Sequence, residues 1–296
     1  MARLEFQQLL DAGVHFGHLR RKWNPNMAPY IFGEKKGIHI IDLNKTSAKL
    51  EEAAAAMKNI AKSGKKVLFV ATKKQAKDIV TEKVKTTGMP YVTERWSGGM
   101  LTNFGTIRRT IKKMATIDRM KIDGTFNNMS KRERLQVSRQ REKMEKNLGS
   151  IADLTRLPSA LFIVDIVKEH IAVAEARKLN IPTFAMVDTN SDPTLVDFAI
   201  PANDDATKSI ELIVDTMIAA INEGLEERKN DKTAVDEGAE EDGAETGDAA
   251  PRTVEAAVAE PAATKAAGVE PTTEAPVAEP ATTEAAADSE ATEEKA

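Results

Sequence analysis

The chain contains no cysteine. Disulfides, thiolate metal sites and cysteine nucleophiles are therefore excluded, and a reducing compartment is allowed. Aromatic residues are scarce at 4%, and no stretch approaches the ~18 consecutive apolar residues that a bilayer span requires. Met1 to Asp11 has no apolar run of the secretory kind. A soluble, cytoplasmic protein with no membrane partner is expected. Its 4 histidines show neither zincin spacing nor a recognisable nucleophile beside them. No Gly-x-Gly-x-x-Gly follows a strand pattern, and Ser63-Gly64-Lys65-Lys66 precedes a strand, whereas a phosphate loop places its lysine after one. Neither a small-molecule substrate nor a required cofactor is expected, and the chain does not read as an enzyme.

Apolar residues fill 41% of the 296 positions, enough for a substantial core. The formal charge of −4 averages two unlike parts. From Asp231 onward there are 4 basic and 18 acidic residues, which leaves 38 basic and 28 acidic before it, a net +10. A basic folded part beside an acidic tail points to a nucleic-acid partner. The tail has no aromatic residue and no Leu, Ile or Met, so it cannot bury enough surface to offset its ordering entropy. Residues 229–296 are expected to be disordered.

Short apolar runs alternate with helical periodicity through most of the remainder. Val67 to Ala71, Ala160 to Val164 and Thr183 to Val187 read as buried strands. The stretches Asn44 to Lys62, Lys74 to Thr86, Ile171 to Leu179 and Ala206 to Glu223 read as helices. Tyr30 to Phe32 and Ile38 to Ile41 flank a turn at Gly33 to Gly37. This pattern predicts an α/β fold, a doubly wound three-layer parallel sheet, over residues 1–102 and 150–228.

Residues 103–149 interrupt that alternation. Ile107, Ile111, Met114 and Ile117 on one helix, and Val137, Met144 and Leu148 on the next, form narrow apolar seams. A protruding antiparallel coiled-coil hairpin is expected, with Ser130 and Glu133 as a capping box. Between Leu101 and Ser150 there are 13 basic and 5 acidic residues. An ordinary solvated face mixes both signs, so this imbalance points to a polyanion. Arg95, Arg108, Arg109, Lys112, Lys113, Arg132 and Arg139 are candidate RNA contacts, together with the Arg20-Arg21-Lys22-Trp23 loop. Trp96 adjoins a cation too, and stacking on a base or burial at the root both fit it. His18, Asp188 and Asp204 lie on loops that can meet at one sheet edge and hold a structural divalent metal. The stronger reading of Asp188 and Asp192 is as turn residues before Pro193, and of the Asn203 to Asp205 run as a cap for the last helix.

Several long motifs then carry a resemblance. Gly13-Val14-His15-Phe16-Gly17-His18, Trp23-Asn24-Pro25, Gly37-Ile38-His39-Ile40-Ile41-Asp42-Leu43, Arg95-Trp96-Ser97-Gly98-Gly99-Met100-Leu101-Thr102-Asn103 and Val187-Asp188-Thr189-Asn190-Ser191-Asp192-Pro193 are similar to the bacterial small-subunit ribosomal protein 2 family. The likeness runs from about Leu4 to Leu225. It implies a structural constituent of the 30S subunit, bound to 16S rRNA among neighbouring 30S proteins and helping to dock small-subunit ribosomal protein 1 in translation. The alternatives are a metal-dependent enzyme built on His18, Asp188 and Asp204, and an RNA chaperone that never enters the ribosome. The sequence departs from the family pattern at Asn26, Ser97 and Asn180, and the last of these still tolerates a left-handed cap.

Overall fold

The computed structural model describes residues 5–241. Helix α1 (Phe6–Asp11) precedes a small antiparallel sheet of β1 (Phe16–Leu19), β2 (Ile31–Lys35) and β3 (Ile38–Ile41), ordered β1-β3-β2. Lys36 at φ 54° and Gly37 at φ 77° form the turn between β2 and β3, the two positive angles that a tight hairpin of this hand needs. Strand β1 was not evident from the sequence. Its Gly17 lies so close to Thr189 that a Cβ would come within 2.6 Å of the threonine methyl, a long-range approach that no local pattern announces.

Next come α2 (Leu43–Lys62), β4 (Val67–Val70), α3 (Lys74–Lys85) and β5 (Tyr91–Val92), then α4 (Phe104–Ile122) and α5 (Lys131–Leu148). The chain continues through β6 (Ala160–Val164), α6 (His170–Lys178), β7 (Thr183–Val187), β8 (Phe198–Pro201) and α7 (Thr207–Glu241). All pairings in the second sheet are parallel, in the order β5-β4-β6-β7-β8. Every residue of β4, β6 and β7 is buried, as strands covered on both faces must be. One face packs Phe69, Phe162 and Phe184 against Leu50, Val80 and Met217 of α2, α3 and α7. The other packs Leu68, Leu161 and Ile163 against Val173 of α6, Trp96 and Leu148. Helices on both faces make the sheet doubly wound.

Two elements differ from expectation. Strand β8 is short and closes on Pro201, and its neighbours Asp192-Pro193 and Asn203-Asp204-Asp205 suggested only turns. Helix α7 continues to Glu241, so residues 229–241 are helical instead of belonging to a disordered tail. Lys58 and Lys62 of α2 pair with Glu227, and Lys62 also reaches Asp231 at 3.3 Å. A helix so anchored propagates cheaply through Ala- and Glu-rich sequence. The rest of the acidic tail, from residue 242, lies outside the described residues.

Strand order reverses beside β4: the chain steps outward to β5 and returns on the other side of β4 as β6. In such sheets the carboxyl ends flanking the reversal open a crevice. Thr72, Lys73 and Asp165 stand there.

Candidate nucleic-acid interface and a buried charge cluster

The segment from Trp96 to Thr102 folds around one carboxylate. Glu175 of α6, 7% exposed, accepts from Trp96 Nε1 at 3.2 Å, Gly99 N at 2.7 Å and Leu101 N at 2.9 Å. The backbone N–H and the hydroxyl of Thr102 donate to it at 3.1 and 3.3 Å. Converging backbone N–H groups make a nest for an anion, and here the chain supplies its own. Gly99, at φ 83°, provides the left-handed step. Burial pushes the Glu175 pKa up, but the bonds from Thr102, Leu101, Gly99 and Trp96 outweigh it and hold the carboxyl below its ordinary value. Trp96 is thus a buried root residue and offers no face to a base.

Helices α4 and α5 rise from this root and pack on each other, with Ile117 and Leu148 buried. Arg141 Nε donates to Asp118 Oδ1 at 2.8 Å across the pair. The Ser130 hydroxyl accepts from Glu133 N while the Glu133 carboxylate accepts from Ser130 N, so the capping box is present. Arg108, Arg109, Lys112 and Lys113 of α4, Arg132 and Arg139 of α5, and Arg95 are all exposed. Arg108 Nη1 also donates to the Thr155 carbonyl at 3.0 Å, which ties α4 to the loop before β6.

Arg20, Arg21 and Lys22 form an exposed 3-10 turn after β1. Arg20 lies 3.4 Å from Glu34, and the backbone N–H of Asn24 donates to the Thr189 carbonyl at 2.8 Å. The Trp23 ring, 37% exposed, tilts against His39 at 5.2 Å. The loop is therefore fixed to the end of β7 while its cations face outward.

Beneath it lies the charge cluster. His18 Nδ1 stands 3.0 Å from Asp188 Oδ2, close but not directed as a hydrogen bond, and His18 Nε2 is 3.4 Å from Asp205. Asp188 and Asp204 are 1% and 0% exposed. Ligand atoms of His18, Asp188 and Asp204 all lie within 4.8 Å of one another. Two members of the cluster carry no local sequence signal: Lys73, whose Nζ is 2.8 Å from Asp204, 2.6 Å from Asp205 and 3.6 Å from Asp165, and Asp165, held at φ 70° just after β6. Burial, then the charges of Asp188 and Asp165, push the Asp204 pKa up to about 7 against the pull of Lys73. Interaction with Asp188 raises that of His18 against the opposing effect of burial. One oxygen each of Asp188 and Asp204 is buried without a hydrogen-bond partner. A set of one imidazole nitrogen and carboxylate oxygens fits a divalent cation. Nearby, Glu169 accepts from the Thr72 backbone N–H at 3.1 Å and from its hydroxyl, and burial raises its pKa.

An α/β body that fixes outward-facing cations on a loop and on a pair of helices has the build of a structural, scaffolding class of protein. No helix among the described residues is long and apolar enough to cross a membrane. Residues 9–224 match the family model described as Ribosomal protein S2. The chain is 70% identical over 232 residues to the small ribosomal subunit protein uS2 of Parabacteroides distasonis, covering 78% of this chain and 84% of that one. The protein of the same name from Phocaeicola vulgatus is 71% identical over 232 residues, with 78% and 83% covered. The one from Flavobacterium johnsoniae is 64% identical over 253 residues, with 86% and 99% covered. The chain belongs to the ribosomal protein S2 family. It is a structural ribosomal protein and not an enzyme.

Proposed function

We propose that this ribosomal protein is a constituent of the small subunit in the cytoplasm that grips 16S rRNA through two basic surfaces. One is the antiparallel coiled coil of α4 and α5, and the other is the Arg20 to Trp23 loop. The observation that carries this reading is the excess of 13 basic over 5 acidic residues between Leu101 and Ser150, displayed on exposed helix faces. Like charges so concentrated repel one another unless phosphates neutralise them. Such contacts position the protein and read no sequence, and the rigid body sets the distance between them. Exposed apolar side chains on the small sheet suit protein partners. Phe32 there is 79% exposed and Phe16 and Leu19 are each 50% exposed, apolar surface of the kind that small-subunit ribosomal protein 1 would cover.

Sedimentation tests the RNA reading. A tagged parent should travel with 30S particles through a sucrose gradient, while a folded Arg109→Ala/Lys112→Ala/Lys113→Ala variant should remain largely at the top. Equal sedimentation of parent and variant would remove the coiled coil from the contact, and absence of both from 30S particles would reject the assignment.

The buried oxygens of Asp188 and Asp204 favour a second function, a structural divalent cation held with His18. Equilibrium dialysis against zinc should give one ion bound per chain, and Asp188→Asn should abolish it. Zinc uptake undiminished in that variant would refute the site.

A further inference from the structure

Ser63-Gly64-Lys65-Lys66 is no phosphate loop, yet the fold gives it a charged setting. With the turn from Gly88 to Tyr91 and the loop from Ser150 to Ser159, it encloses a cleft of about 560 Å³ at the edge where the parallel strands begin. Lys65, Lys66, Lys85 and Arg156 line it against a single carboxylate, Asp153, and all five residues are exposed. Lys66 Nζ donates to the Gly88 carbonyl at 2.8 Å. Lys65, Lys85 and Arg156 have no carboxylate partner among the described residues. Part of the wall is apolar: Met89 and Leu154 are buried, Tyr91 is half-buried and Leu157 is 42% exposed.

A cationic rim over an apolar and aromatic wall complements a nucleotide, whose phosphate is charged and whose base is flat and poorly hydrated. The volume suits a ligand of that size, within the ~300–1,000 Å³ of ordinary small-ligand sites. The cleft is also joined to the basic helix pair. Arg108 of α4 donates to the carbonyl of Thr155, a lining residue, and the Ser150 hydroxyl donates to that of Tyr91. An RNA strand following α4 would arrive at the cleft.

We propose that this cleft takes an unpaired RNA nucleotide, with phosphates on Lys65, Lys85 and Arg156 and a base against Tyr91 and Leu157. The inference rests on the reading of the protein as RNA-binding and adds a site for single strands to its two phosphate-positioning surfaces. An acidic protein segment would satisfy the rim but leave the Tyr91 and Leu157 wall uncovered.

The test uses the full chain and a labelled single-stranded oligouridylate, followed by fluorescence anisotropy over a salt series. Lys65→Ala/Lys85→Ala/Arg156→Ala should weaken binding about tenfold and lower the log–log salt slope by about two, at roughly 0.7 per lost phosphate contact. Leu157→Ser should weaken it about threefold with no change of slope, because it removes apolar contact alone. A thiouridine-substituted copy should crosslink to Tyr91 or to residues 150–159. Unchanged affinity in the triple variant, or crosslinks confined to α4 and α5, would overturn the proposal. So would an oligoglutamate peptide that binds the cleft more tightly than the oligonucleotide. The Arg109→Ala/Lys112→Ala/Lys113→Ala variant separates the two readings. If it binds 16S rRNA like the parent while the cleft variant does not, the coiled-coil grip fails and the cleft stands. Loss of 16S rRNA binding in the helix variant alone, with oligouridylate binding intact in both variants, keeps the grip and rejects the cleft.

Discussion

At the edge of the five-stranded sheet where the strands end, Asp165, Asp188, Asp204 and Asp205 crowd around Lys73 and His18. At the edge where they begin, Lys65, Lys66, Lys85 and Arg156 face one carboxylate. In the first group Asp165, Asp188 and Asp204 are buried, His18 and Lys73 half-buried and Asp205 exposed, whereas the second group is exposed throughout. Burial is the difference that matters. A charge removed from water must be paired within the chain or neutralised by protonation, so the carboxyl edge carries its own counter-charges and shifted protonation equilibria. An exposed cation is satisfied by water and counterions. It stays available until a polyanion displaces them. One edge is thus occupied with holding the fold together, and the other is left open to a partner.

Removal of the half-buried cation Lys73 should have the largest effect. Lys73→Met leaves Asp165 and Asp204 facing each other without Nζ, and should cost about 3–5 kcal/mol, the usual penalty for orphaning a buried charge. Urea unfolding would read it. A loss below about 1 kcal/mol would mean that the cluster is solvated and differs little from the opposite edge.

Glu175 differs from both edges, because its carboxylate is buried with N–H and O–H donors as its partners and, among the described residues, no cation. Glu175→Gln keeps the shape but loses charge-assisted bonds, for an expected cost of about 2 kcal/mol. The linkage has a definite sign. The folded pKa is depressed, so the stabilisation is fully present above the ordinary carboxyl value and is lost as pH falls through the folded one. Exchange of the Gly99, Leu101 and Thr102 amides should therefore speed up, relative to its intrinsic rate, as the solution is acidified below that range. In Glu175→Gln this acid-induced loss of protection should vanish, and its persistence would assign the effect to another group.

Ser130→Ala addresses the exposed helix pair, where stability is local. Removing one half of the capping box should cost about 1 kcal/mol. Faster exchange confined to the first turn of α5 is the expected signature, with the Glu175 nest unaffected.

Features made by neighbours in sequence were the legible ones. The Lys36-Gly37 turn, the capping box at Ser130, the left-handed Asn180 at φ 51° and the unbroken apolar strands each depend on residues a few positions apart. Alternating strands and helices gave the doubly wound class, and that class in turn suggested that His18, Asp188 and Asp204 meet at one edge. Lys73, Asp165 and Glu175 were missed because their partners are remote. Glu175 meets Gly99 across 76 positions and Lys73 meets Asp204 across 131, and no periodicity encodes such pairs. The cleft escaped for a related reason. Ser63-Gly64-Lys65-Lys66 lacks the order of a phosphate loop, and its cations acquire a common setting only once β5 and β6 pair on either side of β4.

The smallest effect on stability should come from the open edge. Lys65, Lys85 and Arg156 are exposed and engage no carboxylate among the described residues. Replacing all three by alanine should shift unfolding by no more than about 0.5 kcal/mol. It should shift in the stabilising direction, because each substitution removes repulsion among like charges that nothing in the chain offsets. The gain should shrink as salt is added and screening shortens the range of that repulsion to about 8 Å near physiological ionic strength. A clear destabilisation, insensitive to salt, would show that these side chains carry packing or hydrogen bonds within the fold. The amino edge would then be as fully committed to structure as the carboxyl edge, and the contrast between them would fall.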